Sequence, residues 1–156
     1  EEALMTFRAI APTIKLHTNR DNTEYAVRLK SHKRSEEHTL LDMGDLDFTV
    51  EAPHTVFDPT QRAARLKQEL SDPDVGLIAM DIILGPGVAP DPASCYIPLM
   101  EQNPDVIFVA SVCGSLEDPQ NKEWIRSALE SAGAIVTASN YESARLCAKI
   151  CREWER

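Results

Sequence analysis

The stretch IAMDIILGPGVAPDPASCY, residues 78 to 96, indicates the fold class of this sequence. It begins as a nearly continuous apolar run, which is typical of a strand that is covered on both faces of a parallel sheet. Gly85 and Gly87, with the prolines around them, then end the strand in a loop without bulky side chains. Asp91-Pro92 is suited to begin a helix, because Asp caps well and Pro fits the first helical position. A strand, a loop and a helix predict one unit of an α/β fold.

The same alternation occurs on both sides of this stretch. Apolar runs predict strands at residues 38–43, 75–84, 106–112 and 134–138. Apolar residues at helical spacing predict helices at residues 1–11, 59–70, 124–132 and 144–154, a shorter helix after Pro92, and a short helix near residues 24–33. Alternating strands and helices predict a mainly parallel, doubly wound sheet.

The composition limits the classes of function. The chain has 156 residues, of which 43% are hydrophobic, and a formal net charge of -9. This length suits one domain with a full core. The negative charge argues against nonspecific binding to nucleic acid or to an anionic membrane. No apolar run is long enough to cross a bilayer, so membrane insertion is not expected.

The four cysteines indicate a reduced, cytoplasmic environment. They are Cys95, Cys113, Cys147 and Cys151, and their spacing is not that of a disulfide framework or a zinc site. Cys147 and Cys151 share one helix face, where we interpret them as small core residues.

The loops that follow parallel strands meet at the carboxyl edge of the sheet, where ligands bind. The residues predicted there are mostly glycines and carboxylates: Asp42, Gly44, Asp45, Asp47, Asp58, Gly85, Gly87, Asp91, Cys113, Gly114, Ser115 and Asp118. Glycines and helix N-termini favour phosphate, whereas carboxylates repel it unless Mg²⁺ or a basic partner intervenes. We therefore expect any ligand site to combine Gly44-Asp45, Gly85 to Gly87 and Cys113 to Ser115, with Mg²⁺-dependent binding of phosphate.

Asp81 is the only carboxylate inside the central apolar run. A buried carboxylate must be paired or hydrogen-bonded, so the first interpretation is that Asp81 accepts hydrogen bonds from adjacent loops. A direct catalytic role is the second interpretation.

Three Asp-Pro pairs follow predicted strands and precede predicted helices. We expect Asp58, Asp91 and Asp118 to act as N-caps. No P-loop, dinucleotide-binding motif, Ser-His-Asp order or zinc spacing is present in the sequence, and His54 is the only histidine near the predicted edge.

Four ordered stretches resemble the FdrA family. They are LLDMGDLDFTVEAPHTVFDPTQRAARL from residue 40, LIAMDIILGPGVAPDPA from residue 77, SVCGSLEDPQ from residue 111 and ASNYESARL from residue 138. FdrA proteins are acyl-CoA synthetase-like and related to succinyl-CoA synthetase subunits. The resemblance implies a flavodoxin-like three-layer domain of the CoA-ligase type over residues 1–156. Asn140, in the last stretch, joins Asp81 and the loop residues above as a candidate ligand-binding residue.

The resemblance also implies ligands, partners and a missing element. CoA or an acyl phosphate is the expected ligand, with Mg²⁺ as a further candidate, and other domains or subunits of a CoA-ligase-like assembly are the expected partners. A homo- or hetero-oligomer is expected. In the family a strand and a Gly-rich turn precede the helix matching residues 1–10, so we expect the chain to begin inside its first βα unit.

Two departures from the family pattern leave two functions open. The family has GRPHP at Glu51 to Thr55 and GYGAHPDPA at Gly85 to Ala93, so the chain lacks the arginine at Ala52 and the histidine at Ala89. The first function is one domain of an enzyme for acyl or carbamoyl transfer, with oxamate carbamoyl transfer in ureide breakdown as the implied reaction. The second is a non-catalytic domain that docks against a CoA-binding partner. The missing histidine and the missing first strand favour the second for this chain by itself, whereas the family resemblance favours the first for the intact protein.

Overall fold

A computed structural model describes residues 1–21, 23–50 and 52–155, so Glu51 of the stretch compared above lies outside the described residues. The strands are β1 (Leu16–Thr18), β2 (Val27–Arg28), β3 (His38–Leu40), β4 (Leu77–Ile83), β5 (Ile107–Cys113) and β6 (Ile135–Thr137). The helices are α1 (Glu2–Ile10), α2 (Leu46–Thr49), α3 (Thr60–Glu69), α4 (Ile97–Glu101), α5 (Lys122–Ser131) and α6 (Asn140–Trp154).

The predicted α/β class with parallel strands and flanking helices is confirmed. The strands form two three-stranded sheets, with the orders β2-β1-β3 and β4-β5-β6, and every pairing is parallel. The four predicted strands correspond to β3, β4, β5 and β6. The sequence did not predict the division into two sheets, nor the very short strands β1 and β2.

Helices cover both faces of the strands. On one face, Leu66 of α3, Met100 of α4 and Leu129 of α5 pack against Ile82 of β4 and Phe108 of β5 in one hydrophobic cluster.

On the other face, α1 and α6 pack together. Leu4 and Phe7 of α1 join Cys147 and Cys151 of α6 against Val109 of β5. The interpretation of these two cysteines as core residues is thereby confirmed.

The predicted helix near residues 24–33 is wrong. The segment contains β2 at Val27–Arg28 and turns, and both residues of β2 are exposed. Helical propensity in a polar segment is a weak signal, and pairing of β2 with β1 decided the conformation.

The predicted capping role is wrong for Asp91 and Asp118. Asp91 accepts hydrogen bonds from the N–H groups of Ala93 and Ser94, but α4 begins only at Ile97. Asp118 accepts from the N–H of Ser115 in the preceding loop at 2.6 Å. The N-cap of α5 is Asn121, whose side chain accepts from the N–H of Trp124. At both aspartates, hydrogen bonds from nearby loop N–H groups to the carboxylate compete successfully with helix capping.

Asp58 comes nearest to the predicted role. Its carboxylate accepts from the N–H of Thr60 at 2.9 Å and from the Thr60 hydroxyl at 2.5 Å, although Pro59 holds the N-cap position of α3. These bonds favour the ionised form, and they lower the pKa of Asp58 below its usual value, with the hydroxyl bond as the largest cause.

We expect Thr60→Val to raise the pKa of Asp58, because the variant removes the hydroxyl donor. A group with a lowered folded-state pKa stabilises the protein above its unfolded pKa, and that contribution is lost as the pH falls through the folded pKa. NMR titration of the Asp58 carboxyl carbon in both proteins measures the shift. An unchanged pKa in Thr60→Val would show that the hydroxyl bond is absent in solution.

No helix in residues 1–21, 23–50 and 52–155 is long and apolar enough to cross a membrane.

Candidate functional site

The loops after β4 and β5 converge through the buried side chain of Gln120. Its Oε1 accepts from the N–H of Gly85 at 3.1 Å, and its Nε2 donates to the carbonyl of Gly85 at 2.9 Å. A Cβ at Gly114 would lie 2.6 Å from the Cβ of Leu84, so the two loops approach as closely as glycine permits. Lys122 donates to the carbonyl of Gly114 at 2.8 Å. The loops after β4 and β5 therefore lie close together, as the parallel topology predicted from the sequence requires.

The loop after β3 forms a second part of the same edge. The Nε2 of His54 would lie 2.7 Å from a Cβ at Gly44, so the imidazole rests against the glycine backbone. The Nδ1 of His54 accepts from the N–H of Val56 at 3.2 Å, which places the ring proton of neutral His54 on Nε2. The N–H of Ala89 donates to the carbonyl of Val56 at 3.2 Å and links this part to the loop after β4.

Asn140 lies at the start of α6 and contacts α1 instead of these loops. Its Nδ2 donates to Glu2 at 2.9 Å. The neighbouring Glu1 lies 3.8 Å from Arg20, which binds Asp42 at 2.6 Å. The first residues of α1 thus connect Asn140 with the β3 loop through a row of charges.

The backbone donors that sequence reasoning assigned to a phosphate already have partners within the chain. The N–H of Gly44 donates to the carboxylate of Asp42 at 3.0 Å, and the N–H of Asp45 donates to the backbone carbonyl of Asp42 at 3.4 Å. The N–H of Gly85 donates to Gln120, and that of Ser115 donates to Asp118. A phosphate at these four positions would have to displace an oxygen atom of the protein, and at three of them that oxygen belongs to a side chain.

The expected burial of Asp81 is wrong. Its side chain is 54% exposed, because β4 is an edge strand and the residue lies on the less covered face. Arg62 of α3 donates to the Asp81 carboxylate at 3.1 Å and to its backbone carbonyl at 2.7 Å. The expectation that Asp81 is hydrogen-bonded holds, although its partner is a side chain of α3.

Tyr96 lies beneath the same arginine. It is 2% exposed, and the guanidinium carbon of Arg62 is 5.8 Å from the ring centroid. Burial raises the pKa of Tyr96 to about 12, so the hydroxyl stays protonated at neutral pH. Burial likewise raises the pKa of Cys147 to about 12, while Cys113 at the carboxyl edge is exposed.

Sequence reasoning did not identify Gln120, Arg62 or Arg20, which hold the edge loops and the open side of β4. Polar residues in loops and on helices carry no periodic signal, so only the tertiary structure shows their partners. Within the described ranges, no group of three or more His, Cys, Asp or Glu side chains is arranged to hold a metal ion. Any Mg²⁺ at this edge would need oxygen ligands from its phosphate or from water.

The amino-acid sequence is similar to known proteins. A family model described as CoA-ligase matches residues 14–150. The chain is similar to the uncharacterized protein YahF of Escherichia coli (strain K12), with 37% identity over 134 residues. The match covers 80% of this chain and 26% of that protein, so the chain spans about a quarter of the length of this curated relative.

Proposed function

Because the chain belongs to the CoA-ligase family, we propose that it is one domain of an acyl-CoA synthetase-type protein of the FdrA kind, which transfers an acyl or carbamoyl group. The family match over residues 14–150 is the observation that carries this proposal. The remaining substrate and nucleotide contacts belong to other domains or subunits, in keeping with the greater length of the relative. Its four free cysteines are in keeping with the proposed location in the reducing cytoplasm.

In this proposal the carboxyl edge is the place of a phosphorylated substrate, and this chain contacts that substrate from one side only. Around Gly85 and Gly87 the small side chains leave room for a ligand, and His54 directs its Nε2–H toward the Gly44 turn. This imidazole can donate a hydrogen bond to a phosphoryl oxygen. Asp45 and the Asp42 carboxylate are near enough to repel an uncompensated phosphate, so Mg²⁺ or a basic side chain of another domain completes the site.

The finer proposal concerns the group transferred. With carbamoyl phosphate and oxamate as substrates, the bond between the carbamoyl carbon and the phosphate oxygen breaks and a bond to the oxamate nitrogen forms, and the proton that this nitrogen loses is taken up by the departing phosphate. The products are N-carbamoyl oxamate and inorganic phosphate. With CoA as acceptor, the thiol sulfur takes the acyl group of an acyl phosphate in the same manner.

Calorimetric titration of CoA and carbamoyl phosphate, with and without Mg²⁺, tests the proposal. We expect weak or absent binding by residues 1–156 alone, and Mg²⁺-dependent binding by the whole natural polypeptide. His54→Leu in the whole polypeptide should weaken carbamoyl phosphate binding about ten- to a hundredfold, since one hydrogen bond to a charged group contributes roughly 1.5–3 kcal/mol. His38→Leu is the matched control, because His38 begins β3 at the opposite edge.

A non-catalytic docking domain is the second candidate, and one observation favours it. Large apolar side chains are exposed in the segments that follow β3 and β5, namely Leu46 of α2 and, in the loops, Val50, Phe57 and Leu116, each at least 61% exposed. Large exposed apolar side chains that form a patch are typical of a protein interface. If the whole polypeptide binds neither ligand, with or without Mg²⁺, the ligase proposal is wrong and the docking role remains.

A further inference from the structure

A run of positive charge interrupts this acidic chain at residues 28–34, which we call the basic segment. Its sequence, RLKSHKR, contains four of the 16 lysines and arginines and no carboxylate, although the whole chain has 25 acidic residues. Arg28, Lys30, Lys33 and Arg34 are all exposed. Solvated surfaces usually intersperse both signs of charge, so a run of one sign in an acidic protein indicates a surface for a partner of opposite charge.

Half of this positive charge is neutralised within the chain. Arg28 and Lys30 form ion pairs with acidic residues that are close in sequence. Of the ion pairs in the part of the chain that the structure describes, none includes Lys33 or Arg34. These two neighbouring cations are therefore available to an anion from outside the chain.

The backbone around the two free cations is fixed to α3. Arg65 donates to the carbonyl of His32 at 2.6 Å, and Gln68 donates to the carbonyl of Lys33 at 2.9 Å. Ser35, which follows the basic segment, accepts from Arg65 at 2.9 Å. Because these bonds hold the turn in one conformation, less backbone entropy is lost when a partner binds to it.

A polar groove lies beside the free guanidinium. It has a volume of about 410 Å³, and its lining includes Arg34, Gln68, Ser71 and Asp72. Clefts for small apolar ligands are lined mostly by hydrophobic side chains, so this groove suits a hydrophilic ligand instead. The hydroxyl oxygen of Ser71 and the amide oxygen of Gln68 can accept hydrogen bonds from the N–H groups of an extended peptide.

Acidic side chains at the groove determine where an anion can bind. The charge of Glu69 is offset by Arg65, which binds it. Asp72 accepts from the N–H of Asp74 at 3.0 Å, and this bond leaves its negative charge in place. A carboxylate that enters the groove is therefore attracted by Arg34 and repelled by Asp72.

The number of free cations discriminates between anionic partners. Proteins that bind nucleic acid without sequence preference neutralise several phosphates with lysines and arginines. Two free cations on a chain with a net charge of -9 do not meet that requirement. They do match a pair of carboxylates, because the planar guanidinium of Arg34 can bind one carboxylate through two parallel N–H groups and Lys33 can bind a second.

We propose that Lys33, Arg34 and the adjoining groove form a docking site for an acidic segment of a protein partner. Asp72 and Pro73 precede β4, so the groove lies toward the amino end of that strand. The loops of the candidate functional site follow the carboxyl ends of the strands. The docking site is therefore separate from the proposed transfer site and from the exposed apolar side chains that follow β3 and β5.

Fluorescence anisotropy with a labelled polyglutamate peptide at low ionic strength tests the proposal. The double variant Lys33→Glu with Arg34→Glu should reduce the affinity roughly tenfold or more, because attraction becomes repulsion at both positions. Arg145→Glu with Lys149→Glu is the matched control, since both residues are exposed on α6 and the change in net charge is the same. Its affinity should remain within about threefold of the parent, because only the screened long-range attraction is lost.

Asp72→Asn is a third variant, and its expected effect has the opposite sign. It removes the repulsive charge from the groove and should raise the affinity for polyglutamate roughly twofold to threefold. Circular dichroism shows beforehand that each variant is folded, and Lys33→Gln with Arg34→Gln replaces the first double variant if that protein does not fold. No binding of the peptide by the parent, or equal losses in the two double variants, would overturn the proposal. A single-stranded DNA oligonucleotide that binds as tightly as the peptide would assign the surface to nucleic acid and also overturn it.

Discussion

Replacing Arg65 with Met should lower the free energy of unfolding of this protein by about 3 kcal/mol. Arg65 is 8% exposed and joins α3 to the segment before β3. Its guanidinium binds Glu69, donates to the carbonyl of His32 at 2.6 Å and donates to Ser35 at 2.9 Å. Without Arg65, the Glu69 carboxylate, whose side chain is 17% exposed, loses its cationic partner. Removing one member of a fully buried pair costs about 3–5 kcal/mol, so for this partly exposed pair we expect the lower end of that range. Urea unfolding followed by circular dichroism measures the loss.

The chain offers a matched control for this variant. Arg126 and Glu130 have the same spacing on α5, with Nε and Oε1 separated by 3.0 Å, but their side chains are 44% and 46% exposed. Solvent screening and side-chain entropy reduce such pairs to about 0–1 kcal/mol, so Arg126→Met should be nearly neutral. Equal losses in the two variants would mean that the network around Arg65 is not formed in solution.

Replacing Gln120 with Leu should remove the side-chain hydrogen bonds that join the loops after β4 and β5, and should lower the free energy of unfolding. Leu keeps the volume of the side chain but offers no partner to the N–H and carbonyl of the buried Gly85. Leaving buried backbone groups unpaired costs about 1–3 kcal/mol. The same unfolding experiment measures the cost, and exchange of the Gly85 amide should quicken because its acceptor is gone.

Gln68→Leu is the corresponding control, because Gln68 also donates a 2.9 Å bond to a backbone carbonyl but is exposed. Water can replace that bond, so the free energy of unfolding of Gln68→Leu should remain within about 0.5 kcal/mol of the parent value. Gln120→Glu extends the test. The new carboxyl group can donate to the Gly85 carbonyl only when it is protonated. Because burial disfavours the ionised form, the pKa of this carboxyl group should be raised in the folded protein. That variant should be least stable above this pKa and recover as the pH falls toward the unfolded pKa. A Gln120→Leu protein as stable as the parent would show that other contacts join the two loops.

Periodicity gave the strands and helices that lie in the core. The residues of β4 and β5 are apolar over most of their length, and the helices that pack on them repeat at helical spacing. These patterns are visible because burial on both faces demands apolar side chains at nearly every strand position. The convergence of the Gly85 and Gly114 loops followed from parallel topology alone.

Polar residues were predicted less well, because their partners are distant in sequence. Asp118 has the composition of an N-cap, yet it accepts from Ser115, and Asn121 caps α5 instead. The apolar neighbours of Asp81 suggested burial, but its position on an edge strand leaves it exposed to solvent and to Arg62.

The sequence by itself therefore determined the α/β class, the parallel direction of the strands and the edge at which loops gather. Those features depend on local patterns and on chain order. Only the tertiary structure decided that the strands divide into two sheets, with β3 and β4 not paired with each other. It also decided that the side chains of Gln120, Asp118 and Asp42 accept hydrogen bonds from the backbone N–H groups of the edge loops. Both outcomes depend on which backbone groups remain without hydrogen-bond partners once the helices have packed. No residue pattern along the chain shows which groups these are.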